Sequence, residues 1–186
     1  IKGIDGSIVE CGIGWGRSLF NFSLLSEIED RGRKIWGFDS FEGFPETSIN
    51  DETDRTGKGK GHYKTNEKSV IQFLINSGLE KDTLDAQVQL VKGFFPHSFE
   101  KYNDEPIALL HLDCDLYKSY MYSLEYFYPL VQEGGVIVFD DYGRKSWPGA
   151  KIAVDEFFTG KEKLFKSEII DRYYFIKNSS MKEQLK

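Results

Sequence analysis

Two stretches, Ile107–Leu112 (IALLHL) and residues 136–139 (VIVF), are apolar almost without interruption, and each runs directly into aspartates. A strand that is apolar on both faces must be covered on both, as happens in parallel sheets flanked by helices. The rest of the chain fits that plan. Ser7–Cys11 (SIVEC) is a short β-rich run ending at Gly12, and residues 17–30 form a predicted helix whose apolar flank is Leu19, Phe20, Phe22, Leu24 and Leu25. Further strands are expected at 34–38 and 88–91, with helices over 68–77, 119–131 and 150–158. Residues 165–177 read as two strands around Asp171 and Arg172, a terminal hairpin on the sheet. Strands alternating with helices imply an α/β fold with a mostly parallel, doubly wound sheet. Ligands of such sheets sit at the carboxyl ends of the strands.

The length of 186 residues lets a chain hide roughly 70% of its unfolded surface, so a core needs no disulfide or metal staple. One domain over residues 1–186 is the expectation. With 24 basic and 30 acidic side chains the net charge is −6, which argues against nucleic acid or an anionic membrane as the main partner. No apolar run approaches the roughly 20 residues of a membrane-spanning helix. Cys11 and Cys114 lack partners at metal-binding spacing and read as buried thiols of a reducing, cytoplasmic compartment. The chain starts at Ile1 without a methionine and enters a strand almost at once, so an amino-terminal segment upstream is expected. Residues 46–66 (ETSINDETDRTGKGKGHYKTN) are too polar for a core and too long for an ordinary connection, which marks them as a candidate lid.

Chemistry concentrates at the strand ends. Glu10, Gly12, Gly14 and Gly16 lie where the first strand turns into the first helix, and glycines there let backbone approach a ligand closely. The G-x-G-x-G spacing with an acid two residues ahead differs from the G-x-G-x-x-G of dinucleotide folds. It suits S-adenosylmethionine, which has no pyrophosphate and whose cationic methionine end favours a nearby carboxylate. Asp39 ends the second strand, where an acid can hydrogen-bond a ribose diol. Asp113 and Asp115 follow the fourth strand and Asp140 and Asp141 the fifth. If those strands are neighbours, the acids converge, and a divalent cation relieves their repulsion. Oxygen-only ligands favour Mg²⁺, Ca²⁺ or Mn²⁺ over Zn²⁺.

Four segments, Glu10 to Ser18 (ECGIGWGRS), Gly37 to Pro45 (GFDSFEGFP), His111 to Ser119 (HLDCDLYKS) and Gly134 to Gly143 (GGVIVFDDYG), together resemble the macrocin O-methyltransferase (TylF-type) family. The resemblance implies a Rossmann-like class I methyltransferase, with a seven-stranded, mostly parallel sheet, one antiparallel strand and helices on both faces. It implies S-adenosylmethionine and Mg²⁺ as cofactors, and a small-molecule hydroxyl acceptor, a sugar or diol, as substrate. By carry-over, Asp113, Asp140 and Asp141 would hold the metal, and Glu10, Gly12, Gly14, Gly16, Asp39 and the adjoining Ser40 the cofactor. Asp115 matches an aspartate proposed as base in some relatives, while His62 falls where others place a histidine base. Either could serve. His111, on the strand face shared with Asp113, reads as a core residue or a support for the metal ligands. Trp15, Trp36 and Trp147 read by default as packing residues, with Trp147, on the loop after the fifth strand, the best placed of the three to meet substrate, and a homo-oligomer is left open.

Three other readings compete. A nicotinamide oxidoreductase lacks its phosphate-binding spacing here, and a metal-dependent glycosyltransferase could use Asp113 and Asp115 but leaves Glu10 to Gly16 unexplained. The third is a non-catalytic cofactor-binding module.

Overall fold

The computed structural model describes residues 1–52, 59–159 and 163–178. β1 (Ser7–Cys11), buried at every residue, is flanked by β2 (Ile35–Asp39) on one side and β4 (Ile107–Leu112) on the other. With β3 (Val88–Lys92), β5 (Val131–Phe139), β6 (Phe165–Lys166) and β7 (Tyr173–Ile176) they form a seven-stranded sheet in the order β3-β2-β1-β4-β5-β7-β6. β1 to β5 pair in parallel, and β7 runs antiparallel to both β5 and β6. The expected seven-stranded, mostly parallel sheet with one reversed strand is therefore present. The order reverses between β1 and β4, which opens a crevice at their carboxyl ends.

Side chains alternate across each strand, so the two sheet faces build different cores. Val9, Cys11, Leu110 and Leu112 pack with Tyr120 and Leu124 of α4 (Tyr117–Phe127) and Ala150 and Val154 of α5 (Pro148–Phe157). Ile8, Ile35 and Leu109 instead pack with Leu19 of α1 (Arg17–Glu29) and with Val70 and Leu74 of α2 (Glu67–Asn76). That parity decides which way Glu10 and His111 face. Burial raises the pKa of the free thiols of Cys11 and Cys114, in keeping with their reading as inert core groups.

Three local expectations change. The helix expected to reach residue 131 stops at Phe127, since Pro129 lacks the N–H that a continuing helix needs, and Val131 already starts β5. The extra helix α3 (Lys81–Gln87) has only Leu84 buried, so it left no apolar period in the sequence. The hairpin strands are shorter than residues 165–177 suggested, and the turn between them lies at the carboxyl edge because Tyr173 pairs with Phe139. Of the candidate lid, residues 53–58 lie outside the described residues. Its described flanks are tied down: Phe44 N–H donates to the His62 carbonyl at 2.9 Å, and the Phe44 ring meets Tyr63 and Trp147 edge-on at 5.2 and 5.5 Å. Among the described residues no helix is long and apolar enough to cross a membrane.

Candidate active site

The three glycines of the first turn all adopt left-handed backbone, with φ of 91° at Gly12, 53° at Gly14 and 84° at Gly16, yet their surroundings separate them. A Cβ on Gly12 would lie 2.0 Å from the Asp113 carbonyl oxygen, and one on Gly16 would lie 2.9 Å from Val70. Those two let β4 and α2 pack. A Cβ on Gly14 would meet nothing within 4 Å, and Gly14 lines a cavity of about 820 Å³. Asp39 fastens this turn to the end of β2. Its Oδ2 accepts from the N–H groups of Ile13 and Gly14 at 3.0 and 3.2 Å, and its Oδ1 accepts from Phe41 N–H at 2.8 Å. Ser40, also on the cavity wall, donates to the Gly43 carbonyl at 2.8 Å and accepts from Glu42 N–H, shaping the next turn.

Glu10 is not among the residues that line the cavity. It is fully buried on the α1 face of the sheet, where its Oε1 accepts from the Ser18 hydroxyl and lies 2.9 Å from His111 Nδ1. Its second oxygen, Oε2, is buried without a hydrogen-bond partner among the described residues. The other ring nitrogen of His111 lies 3.9 Å from Asp140 Oδ1. Burial opposes the charged imidazole, but the Glu10 hydrogen bond and charge, with Asp113 and Asp140 nearby, outweigh it and raise the His111 pKa. His111 thus stands between Glu10 and the carboxylate of Asp140.

At the ends of β4 and β5, Asp113, Asp140 and Asp141 each offer a carboxylate oxygen, and these atoms all lie within 4.8 Å of one another. Burial, and then the charges of Asp141 and Asp140, push the Asp113 pKa up to about 8; burial and Asp140 push Asp141 to about 6. Both shifts come first from burial and then from the mutual repulsion of the carboxylates. Partly buried, all-oxygen and mutually repelling, this donor set fits a hard divalent cation. Asp140 is also paired with Arg172 and, at 3.5 Å, with Arg144. No sequence signal pointed to Arg172, which reaches Asp140 from the hairpin turn 32 residues away.

Asp115 lines the cavity and has φ of 59°, a left-handed conformation that aspartate and asparagine adopt more readily than other residues with a Cβ. Its N–H donates to Asp141 Oδ2 at 3.0 Å, and the Tyr120 hydroxyl lies 3.0 Å from the same oxygen. His62 shares the cavity, exposed, with Nδ1 3.0 Å from the Gly59 carbonyl. The tryptophans divide. Trp147 packs against Phe44 and Tyr63 at 8% exposed and also lines the cavity, whereas Trp15 on the glycine turn, read by default as a packing residue, is 62% exposed on the same wall.

The chain is 32% identical over 144 residues to the 8-demethyl-8-(2,3-dimethoxy-alpha-L-rhamnosyl)-tetracenomycin-C 4'-O-methyltransferase of Streptomyces olivaceus, covering 75% of this chain and 54% of the relative. It is 31% identical over 159 residues to the demethyldecarbamoylnovobiocin O-methyltransferase of Streptomyces niveus, covering 83% and 58%. The chain therefore spans little more than half the length of these curated relatives. Among solved structures, the O-methyltransferase NovP superposes with a TM-score of 0.78 at 28% identity, over 94% of this chain and 73% of that one. The family model for macrocin O-methyltransferase (TylF) matches residues 1–172, a span that holds the glycine turn, the strand-end aspartates and Arg172 alike. On that match the chain belongs to the macrocin O-methyltransferase (TylF) family.

Proposed function

We propose that this chain transfers the methyl group of S-adenosylmethionine to a hydroxyl of a sugar on a natural product, with a divalent cation, Mg²⁺ by the chemistry of the donors, at Asp113, Asp140 and Asp141. One observation carries the reading: Gly14, which has open space at its Cβ, and the three-aspartate cluster face the same cavity of about 820 Å³. That volume is near the upper end for small-molecule sites, with room for a cofactor and an acceptor together. The relative that acts on a rhamnosyl tetracenomycin supports a glycosidic acceptor.

In this reading Gly12 to Gly16 and Asp39 form the cofactor wall, and Asp39 keeps Gly14 in place by accepting its N–H. A cation at the aspartates would lower the pKa of a bound acceptor hydroxyl and orient a vicinal diol. Asp115 accepts the hydroxyl proton. S-adenosylmethionine, held against the cofactor wall, would supply an electrophilic methyl group, and the aspartate cluster with Asp115 would hold the acceptor hydroxyl toward it. Positioning of this kind supplies much of the rate.

Calorimetric titration with S-adenosylmethionine tests the cofactor wall. Gly14→Val should leave a folded protein, since the left-handed backbone costs about 1–2 kcal/mol, but should remove cofactor binding by filling the cavity. Gly12→Ala should instead destabilise the fold, because its methyl would displace the Asp113 backbone. Wild-type affinity in a folded Gly14→Val protein would refute the assignment.

A further inference from the structure

α4 begins without a cap of its own. The residue before it, Leu116, offers no side-chain acceptor, so the N–H groups of the first turn depend on other parts of the chain. Tyr117 N–H finds its acceptor 66 residues upstream, donating to Asp51 Oδ1 at 2.7 Å. The second oxygen of Asp51 serves its own short 3-10 turn, accepting from Ser48 N–H at 2.8 Å and the Ser48 hydroxyl at 2.6 Å. Room for this carboxylate comes from Gly149 in the first turn of α5, where a Cβ would lie 2.0 Å from Asp51 Oδ1 and 2.8 Å from Tyr117 N. Gly149 has no left-handed φ, so its missing side chain serves the carboxylate rather than the backbone. Two residue choices that are poor on local grounds, a leucine before one helix and a glycine inside another, are explained by a single contact.

The first turn of α4 and the residue leading into it also grip Asp141. Asp115 N–H, two residues before Tyr117, donates to Asp141 Oδ2 at 3.0 Å, and the Tyr120 hydroxyl donates to the same oxygen at 3.0 Å. Moving this turn moves the donors that fix that carboxylate. We propose that Asp51 is a positioning residue for the cation site: by seating the first turn of α4 it holds Asp141 in place, without being a ligand itself. This role rests on the reading of Asp113, Asp140 and Asp141 as a divalent-cation site.

Mn²⁺ is the probe, titrated into the whole chain and followed by electron paramagnetic resonance, which needs no acceptor. Wild type should bind and Asp113→Asn should not, which tests the cation site separately. Asp51→Ala and Gly149→Ala should each weaken Mn²⁺ affinity about 10-fold, the lower end of the loss seen when supports of metal ligands are removed. Asp51→Asn keeps an oxygen for Tyr117 N–H and should stay within about threefold of wild type. S-adenosylmethionine affinity should be constant throughout, whereas a merely structural role would lower both affinities together. Gly149→Ala guards against a failure of Asp51→Ala to fold. Unchanged Mn²⁺ affinity in either alanine variant, equal losses in Asp51→Asn and Asp51→Ala, or a parallel fall in cofactor affinity overturns the role. Absence of Mn²⁺ binding to wild type overturns the cation site and this role with it.

Discussion

Asp113→Asn should abolish divalent-cation binding and lower turnover on the order of 10²–10³-fold, yet raise the melting temperature of the metal-free protein at pH 8. The two effects have one cause. In the fold, burial and the charges of Asp141 and Asp140 lift the Asp113 pKa from 3.8 to about 8. Between those values the native state keeps a proton that the unfolded chain has released, so stability falls as pH rises through the window. The contribution is complete below about pH 4 and gone above about pH 8. Asp141, lifted to about 6, adds a smaller fall over the lower part of the range. Asparagine has no proton to lose, so the variant should keep most of its stability at pH 8. Thermal melts at pH 5 and pH 8, in chelator and in excess Mg²⁺, separate the parts. Wild type in chelator should melt lower at pH 8, and Mg²⁺ should restore it by mass action. Mg²⁺ should not stabilise Asp113→Asn. Full turnover of wild type in chelator, together with no gain in melting temperature for the variant, would reduce these aspartates to solvated acids at helix starts.

The aspartates were legible because a strand buried on both faces shows itself as an unbroken apolar run, and the charges that end it stand out. Ile107–Leu112 ends at Asp113, and residues 136–139 end at Asp140 and Asp141, so sequence alone could bring the acids to one sheet edge. Where burial is partial, that signal disappears. The first half of β5, Val131 to Gly135, has the pattern of a loop, and the sheet recruits it through a pairing of Ile107 with Val131 across an irregular register. The seven residues of α3 bury only Leu84, too little for an apolar period to show.

Within the site, residue types were readable and partners were not. Glu10 was visible as an acid beside a glycine turn, but its orientation follows from strand parity, and its partner His111 is 101 residues away, brought alongside by the register of β1 on β4. Asp39 stood out as a strand-end acid. Its grip on Ile13 and Gly14 depends on how β2 lies beside β1. Arg172 with Asp140 and Asp51 with Tyr117 are likewise contacts of tertiary structure, with no periodicity or motif linking them. The Asp115 backbone carries information that no residue type carries, since only the fold puts a left-handed aspartate on the wall of the cavity.

Asp115→Asn is expected to lower kcat by about 10²–10⁴-fold, the usual share of a general base, while S-adenosylmethionine and Mn²⁺ still bind as to wild type. Asparagine suits the test because it tolerates the left-handed backbone that Asp115 adopts, so the substitution removes charge and basicity without adding strain. It also leaves the residue's N–H free to donate to Asp141 Oδ2, which keeps that carboxylate placed. Alanine would confound lost basicity with backbone strain. His62→Ala is the matched comparison. The His62 side chain is exposed and its Nδ1 faces the Gly59 carbonyl, so its removal should change kcat by no more than a few-fold. Both variants should be measured on a glycosidic acceptor that wild type turns over, with cation affinity determined in parallel. A larger kcat loss in His62→Ala at constant Mn²⁺ affinity would make the histidine the proton acceptor. A fall in Mn²⁺ affinity in Asp115→Asn would make Asp115 a fourth ligand, and the proton would then have to leave by another group on the cavity wall.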